Sequence, residues 1–230
     1  MFIFSTLDNN TSTAISYKRT RIYSLKLALI TLTLVILSIL FLDQKITWLF
    51  KEDDWKWLFA REITNIGLFS HYFFIALAGL AISFYFIKIK KNTSAQVIRF
   101  LEKSKVLVYT LLFSGIWVHI FKFLFGRQRP KISPDFSPHV FQPLTTNWDF
   151  HSLPSGHTQV LFCVASFLAF YYPRYRYFFF ILAGLLSFTR VMTRDHFFAD
   201  VMMGALVGHL STVWLYTYLI KKNVIHLKNQ

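Results

Sequence analysis

Within the eleven residues Arg190–Asp200, two arginines (Arg190, Arg194), two aspartates (Asp195, Asp200) and His196 crowd between long apolar runs. Ionisable groups beside apolar, membrane-length segments are costly to place, so they are functional candidates. His196 and Asp200 stand four apart, one helical turn, on one face of any helix that begins there. A carboxylate against an imidazole selects its tautomer and makes the other ring nitrogen a better base or nucleophile.

Two further stretches carry matching chemistry. Lys122 is followed, after six residues, by Arg129-Pro130, and Pro154-Ser155-Gly156-His157 opens another apolar run. Lys122, Arg129 and Arg190 are three fixed cations, the complement of a dianionic phosphate held by charge-assisted hydrogen bonds. Arginine forks match phosphate oxygens bidentately, and lysine adds a point charge. Ser155 and the free N–H groups of a helix starting at Gly156 form an anion site, where glycine lets the backbone approach closely. Two histidines can then divide the labour of phosphoryl transfer. One attacks phosphorus and the other protonates the departing oxygen. Asp200 marks His196 as the nucleophile, which leaves His157 as the acid. The sequence offers neither a carboxylate cluster for magnesium nor a zinc spacing of histidines, so no metal or other cofactor is expected.

The elements that must bring these groups together are apolar helices. Of the 230 residues, 54% are hydrophobic and 16% charged, against about 25% charged in soluble domains. Mean hydropathy is +0.43. The chain reads as all-α, an integral membrane bundle of six transmembrane helices. The expected spans are Leu27–Leu42, Ile63–Ile87, Val106–Phe121, Thr158–Tyr172, Tyr177–Thr189 and Val201–Ile220; Tyr177–Thr189 is short for a crossing, and a re-entrant or core helix is its alternative. Residues 1–21 form an N-terminal tail, 22–220 the six-span domain and 221–230 a second tail. Asp43–Glu62 mixes charges with Trp48, Trp55 and Trp57, as an interfacial helix between spans one and two would, with a simple loop as the alternative. Lys88–Lys105 is a basic connector. Gly126–Ser155, broken by prolines, is the longest polar loop, and loops of that length are usually functional. The lone Cys163 lies in an apolar run and excludes any disulfide framework.

Loop charges set the orientation. With both termini inside, fifteen lysines and arginines face two acids on the inner side, and ten face nine on the outer. The net charge of +14 is therefore mainly a topology signal, and nucleic acid is not an expected partner. An even number of spans separates the three stretches, so all three meet at the outer face.

These three stretches, with their spacings, resemble the signature of the type 2 phosphatidic acid phosphatase superfamily. Thr189 stands where that family usually has serine before the arginine, and a hydroxyl is retained. The resemblance covers about residues 22–220. It implies a helical bundle with a phosphate pocket near the outer leaflet. It also implies His196 as phosphorylated nucleophile, Asp200 as its partner and His157 as general acid, with Lys122, Arg129, Ser155, Gly156 and Arg190 binding phosphate. His119, Arg127 and Arg194 flank the motifs as supporting or headgroup-contacting residues. The expected activity is metal-independent hydrolysis of a phosphomonoester or pyrophosphate on a membrane lipid. Phosphatidylglycerophosphate, undecaprenyl pyrophosphate, phosphatidic acid and a lipid A phosphate are the candidate substrates. Transfer of the phosphoryl group to a lipid acceptor such as lipid A is the alternative. The expected location is a bacterial inner membrane, with the site at the periplasmic face.

Overall fold

The apolar runs fold as helices whose lengths are set by where glycine, proline and charge interrupt them. The computed structural model describes residues 13–222 apart from 51 and 53. Among the described residues eight α-helices follow in order: α1 Thr13–Phe41, α2 Asp43–Trp48, α3 Trp55–Ile63, α4 Phe69–Lys88, α5 Ala95–Phe125, α6 Gly156–Tyr171, α7 Arg176–Met192 and α8 Phe198–Lys221. Among the described residues the only β pairing is a single antiparallel bridge, Arg127 to Phe141.

The six long helices α1 and α4–α8 fall on the six expected spans. Those in Lys18–Phe41, Trp55–Lys88, Ala95–Phe125 and Phe198–Lys221 are long and apolar enough to cross a bilayer. At 16 and 17 residues, α6 and α7 rise only about 24–26 Å, short of a hydrocarbon core of about 30 Å.

Several boundaries differ from the sequence reading. The expected tail 1–21 is helical from Thr13; residues 1–12, and 223–230 of the second tail, lie outside the described residues. Much of the expected connector Lys88–Lys105 is helix, because α5 starts at Ala95 and runs 31 residues. No glycine or proline interrupts 95–105, so nothing stops the helix at the membrane edge. The second span begins at Phe69 rather than Ile63. A 3₁₀ turn, Thr64–Gly67, and extended Leu68 separate it from α3. The expected interfacial helix is two short helices, α2 and α3. They leave Trp48 and Trp55 exposed but bury Asp43 completely.

The core gathers around α8. In its most apolar stretch 67% of residues are buried inside the protein, against 17% for α1, whose leucines and isoleucines face outward. Gly204 and Gly208 let α6 lie directly on α8. A Cβ at Gly204 would fall 2.5 Å from the Ser155 carbonyl oxygen, and one at Gly208 2.2 Å from that of Gln159. Without a strong hydrophobic force between helices in lipid, such small-residue contacts and interhelical hydrogen bonds hold bundles together. Gln159 on α6 donates to Ser114 on α5 at 2.5 Å. His209 on α8 sits between Ser166 of α6 at 2.8 Å and Tyr23 of α1 at 3.1 Å.

Candidate active site

The three chemically marked stretches meet at one end of this bundle, because two helices end there and two begin. α5 delivers Lys122 in its last turn and stops at Gly126, whose φ of +56° is left-handed, as glycine readily allows. A side chain there would also strike the Gln142 carbonyl. α6 begins at Gly156, where an added Cβ would lie 3.9 Å from Cε of Lys122. The Ser155 amide donates to the Asp200 carbonyl at 2.9 Å, which joins the start of α6 to the start of α8. Arg190 lies in the last turn of α7, and its carbonyl accepts from the His196 amide at 3.2 Å.

All eight motif residues, Lys122, Arg129, Ser155, Gly156, His157, Arg190, His196 and Asp200, thus come from the same end of the fold. Lys122, Arg129 and Arg190 lie close enough to both imidazoles, His157 and His196, to act on each electrostatically. Most of their donors meet neutral oxygens. Lys122 donates to the His151 carbonyl, and Arg129 to the carbonyls of Trp148, His151 and Asp195 at 3.2–3.4 Å. Arg190 donates to Thr64 Oγ1 at 3.0 Å and forms an ion pair with Asp195 Oδ2 at 3.0 Å. Its Nε is buried without a hydrogen-bond partner. Of the three cations only Arg190 is paired with a carboxylate, Asp195, to which Lys131 also bonds at the rim. At least two positive charges remain, which match a phosphate dianion. A phosphate oxygen would displace a neutral carbonyl as partner, because charge-assisted bonds are roughly twice as strong.

The nucleophile candidate is held from behind. His196 is 2% exposed, and burial is the main reason its ring is pushed well below the ordinary imidazole range, although Asp200 opposes this. The ring is therefore neutral at physiological pH. Its Nδ1 lies 3.7 Å from Asp200 Oδ2 and 3.4 Å from Ser152 Oγ. Ser152 Oγ itself donates to Asp200 Oδ2 at 2.6 Å. A hydroxyl has one proton; with that given to Asp200, Ser152 can only accept from His196. Nδ1 then carries the hydrogen, and Nε2 keeps the free lone pair.

Asp200 is in turn clamped. Its Oδ1 accepts from Arg127 at 2.6 Å, and its Oδ2 accepts from the Phe197 amide at 2.8 Å. Arg127 is completely buried. Four hydrogen bonds occupy its guanidinium, to Asp200, to Asp43 at 2.6 Å and twice to the Pro138 carbonyl. Headgroup contact, one of the expected roles of Arg127, is ruled out by this burial. Arg194 is half-buried. Its guanidinium donates to the Phe50 carbonyl and sits 4.6 Å from the Phe136 ring centroid, so it ties the α2–α3 connector to the loop before α8. His119 is exposed on α5, within electrostatic reach of Lys122 and His151.

Three contributors escaped the sequence reading, Asp43, Thr64 and Ser152, and Asp195, a charged candidate within Arg190–Asp200, received no role there. Asp43 did carry a signal, as an acid placed directly after sixteen uncharged residues. Asp195 adjoins His196 but lies outside the recognised spacing. Ser152 and Thr64 are ordinary hydroxyls whose roles depend on distant partners. The connector containing Asp43 and Thr64 also packs on the other histidine. A Cβ at Gly67 would fall 3.1 Å from Cβ of His157.

The model of the PAP2 superfamily matches residues 104–223, which include every motif residue. The chain belongs to the PAP2 superfamily. Among proteins of this superfamily kind, similarity extends to lipid A 1-phosphatase of Rhizobium johnstonii, 35% identical over 102 residues, or 44% of this chain and 42% of that protein. Lipid A 1-phosphatase of Rhizobium etli is 35% identical over 99 residues, 43% of each chain. The matched region thus spans less than half the length of these relatives. The fold resembles that of a transmembrane PAP2-type phosphatidylglycerolphosphate phosphatase from Bacillus subtilis, with a TM-score of 0.54 and 19% identity. That match covers 89% of this chain and 98% of the other.

Proposed function

We propose that this PAP2 protein is an integral membrane lipid phosphatase acting through a phosphohistidine on His196. The observation that carries the proposal is the back-to-front arrangement of His196. Ser152 and Asp200 hold its Nδ1, which directs Nε2 toward a site flanked by Lys122, Arg129 and Arg190.

The substrate phosphate lies among the three cations and the N–H groups that open α6. His196 Nε2 attacks phosphorus as the P–O bond to the lipid breaks. His157 gives its proton to the departing oxygen. The imidazole of His196 keeps its Nδ1 hydrogen, bears a positive charge, and is stabilised by Asp200. His157, now a base, takes a proton from water, which attacks the phosphohistidine and releases inorganic phosphate. Lys122, Arg129 and Arg190 are fixed before the reaction, so they stabilise charge on the phosphoryl oxygens without reorganising.

The lipid keeps its chains in the bilayer while its headgroup phosphate reaches the site from the periplasmic side. The loop-charge asymmetry supports that orientation. The Rhizobium relatives favour a lipid A 1-phosphate as substrate, ahead of phosphatidylglycerophosphate, undecaprenyl pyrophosphate and phosphatidic acid. The test is phosphate release from a panel of these four lipids by detergent-purified protein. His196→Ala is expected to lose at least about a thousandfold in rate while remaining folded. Release by His196→Ala at the wild-type rate would remove the mechanism, and no release by the wild type from any lipid would remove the activity.

A further inference from the structure

Asp43 lies outside all three motifs, yet it is among the most thoroughly held carboxylates in the protein. It opens α2, immediately after α1, and is completely buried. Its Oδ1 accepts from Ser38 Oγ at 2.6 Å and from the Ala199 amide at 2.9 Å. Its Oδ2 accepts from Arg127 at 2.6 Å. It therefore grips both the arginine that clamps Asp200 and the helix end that carries Asp200. Phe197 closes the arrangement, with its ring centroid 4.2 Å from the Arg127 guanidinium carbon.

We propose that Asp43 is a positioning residue for the nucleophile: through Arg127 it sets the place and the effective charge of Asp200 behind His196. The inference rests on the phosphohistidine reading above. Its logic is a charge count over a sealed network. Asp43, Arg127 and Asp200 sum to one negative charge while His196 is neutral. When Nε2 bonds to phosphorus and the lipid oxygen leaves with the proton of His157, the imidazole becomes cationic and the network becomes neutral. Without the Asp43 charge, Arg127 would be spent wholly on Asp200, and the same step would end with one uncompensated buried positive charge. Asp43 thus keeps Asp200 from being neutralised by its own clamp. Electrostatic groups preset for the charge that develops in a reaction act on the barrier, not on ground-state binding. Lys122, Arg129 and Arg190 remain in place, so the effect belongs in the phosphorylation rate.

The experiment compares wild type, Asp43→Asn and Ser38→Ala, using the member of the lipid panel that the wild type turns over fastest. Steady-state kcat and KM are measured together with the single-turnover rate of phosphoenzyme formation, and folding is checked by melting in detergent. Asp43→Asn is expected to form phosphoenzyme tenfold to a hundredfold more slowly, with KM within threefold of wild type. Ser38→Ala removes only a hydroxyl and one of the three donors, and a smaller loss of about threefold is expected. If Asp43→Asn does not fold, Ser38→Ala decides. A folded variant that forms phosphoenzyme at the wild-type rate overturns the proposal, as does a loss confined to KM. A wild type that turns over lipid with no phosphoenzyme at all instead overturns the reading on which the proposal rests.

Discussion

At the scale of single residues, the division between histidines has kinetic consequences. If His157 protonates the leaving oxygen, His157→Ala should cut kcat about 10²–10⁴-fold on a lipid phosphate. The loss should be much smaller on nitrophenyl phosphate, whose leaving group needs no proton; equal losses on both would contradict the assignment. Arg127 illustrates a different cost. Arg127→Met leaves two buried carboxylates facing each other, and removing one partner of a buried pair destabilises by about 3–5 kcal/mol. A melting transition in detergent should drop accordingly. His196 also links stability to pH. Its ring is held below the ordinary value of 6.5 in the folded state, so between those two values the unfolded chain binds more protons. Its contribution is complete above about pH 6.5 and is lost as pH falls toward the folded value. Melting temperatures should therefore decline from pH 7 to pH 5, less steeply in His196→Ala. The motif residues were legible because their types and spacing are unusual within apolar sequence. Ser152 and Thr64 were not, since a hydroxyl gains meaning only from the partner brought to it.

At the scale of elements, the site is a product of helix ends. The start of α6 is seated on α8 through Gly204, so a methyl group there must push the Ser155 carbonyl aside. Gly204→Ala should cost about 1–3 kcal/mol of stability, as overpacking does. It should lower activity beyond what that loss explains, because Ser155, Gly156 and His157 move together. Normal activity with a lowered melting point would show the α6–α8 contact to be structural only. The six long helices could be read from hydropathy, but their ends could not. α5 runs on past the expected connector because its basic residues are also good helix formers. The second span starts late because Thr64–Gly67 is drawn into a turn against α6 and α7. The connector between α1 and α4, expected to lie along the membrane surface, instead buries Asp43 against Arg127 and sets Thr64 on Arg190. That placement depends on partners more than eighty residues away in sequence, which local patterning does not encode.

At the scale of the whole molecule, the loop-charge asymmetry predicts which side of the membrane carries the phosphate site. In a Cys163→Ser background, a cysteine at exposed Asp135 should react with a membrane-impermeant maleimide in intact cells stripped of their outer membrane. One at exposed Lys91 should react only after lysis. The opposite pattern would put the phosphate site on the cytoplasmic side. On the proposed reading, two imidazoles and three cations would meet a headgroup whose chains stay in the lipid. The most direct test is to quench the protein during turnover of a ³²P-labelled lipid and map the label. An acid-labile, base-stable phosphohistidine at His196, absent from His196→Ala, is expected. Label on any other residue, or steady turnover with no labelled protein, would contradict the mechanism.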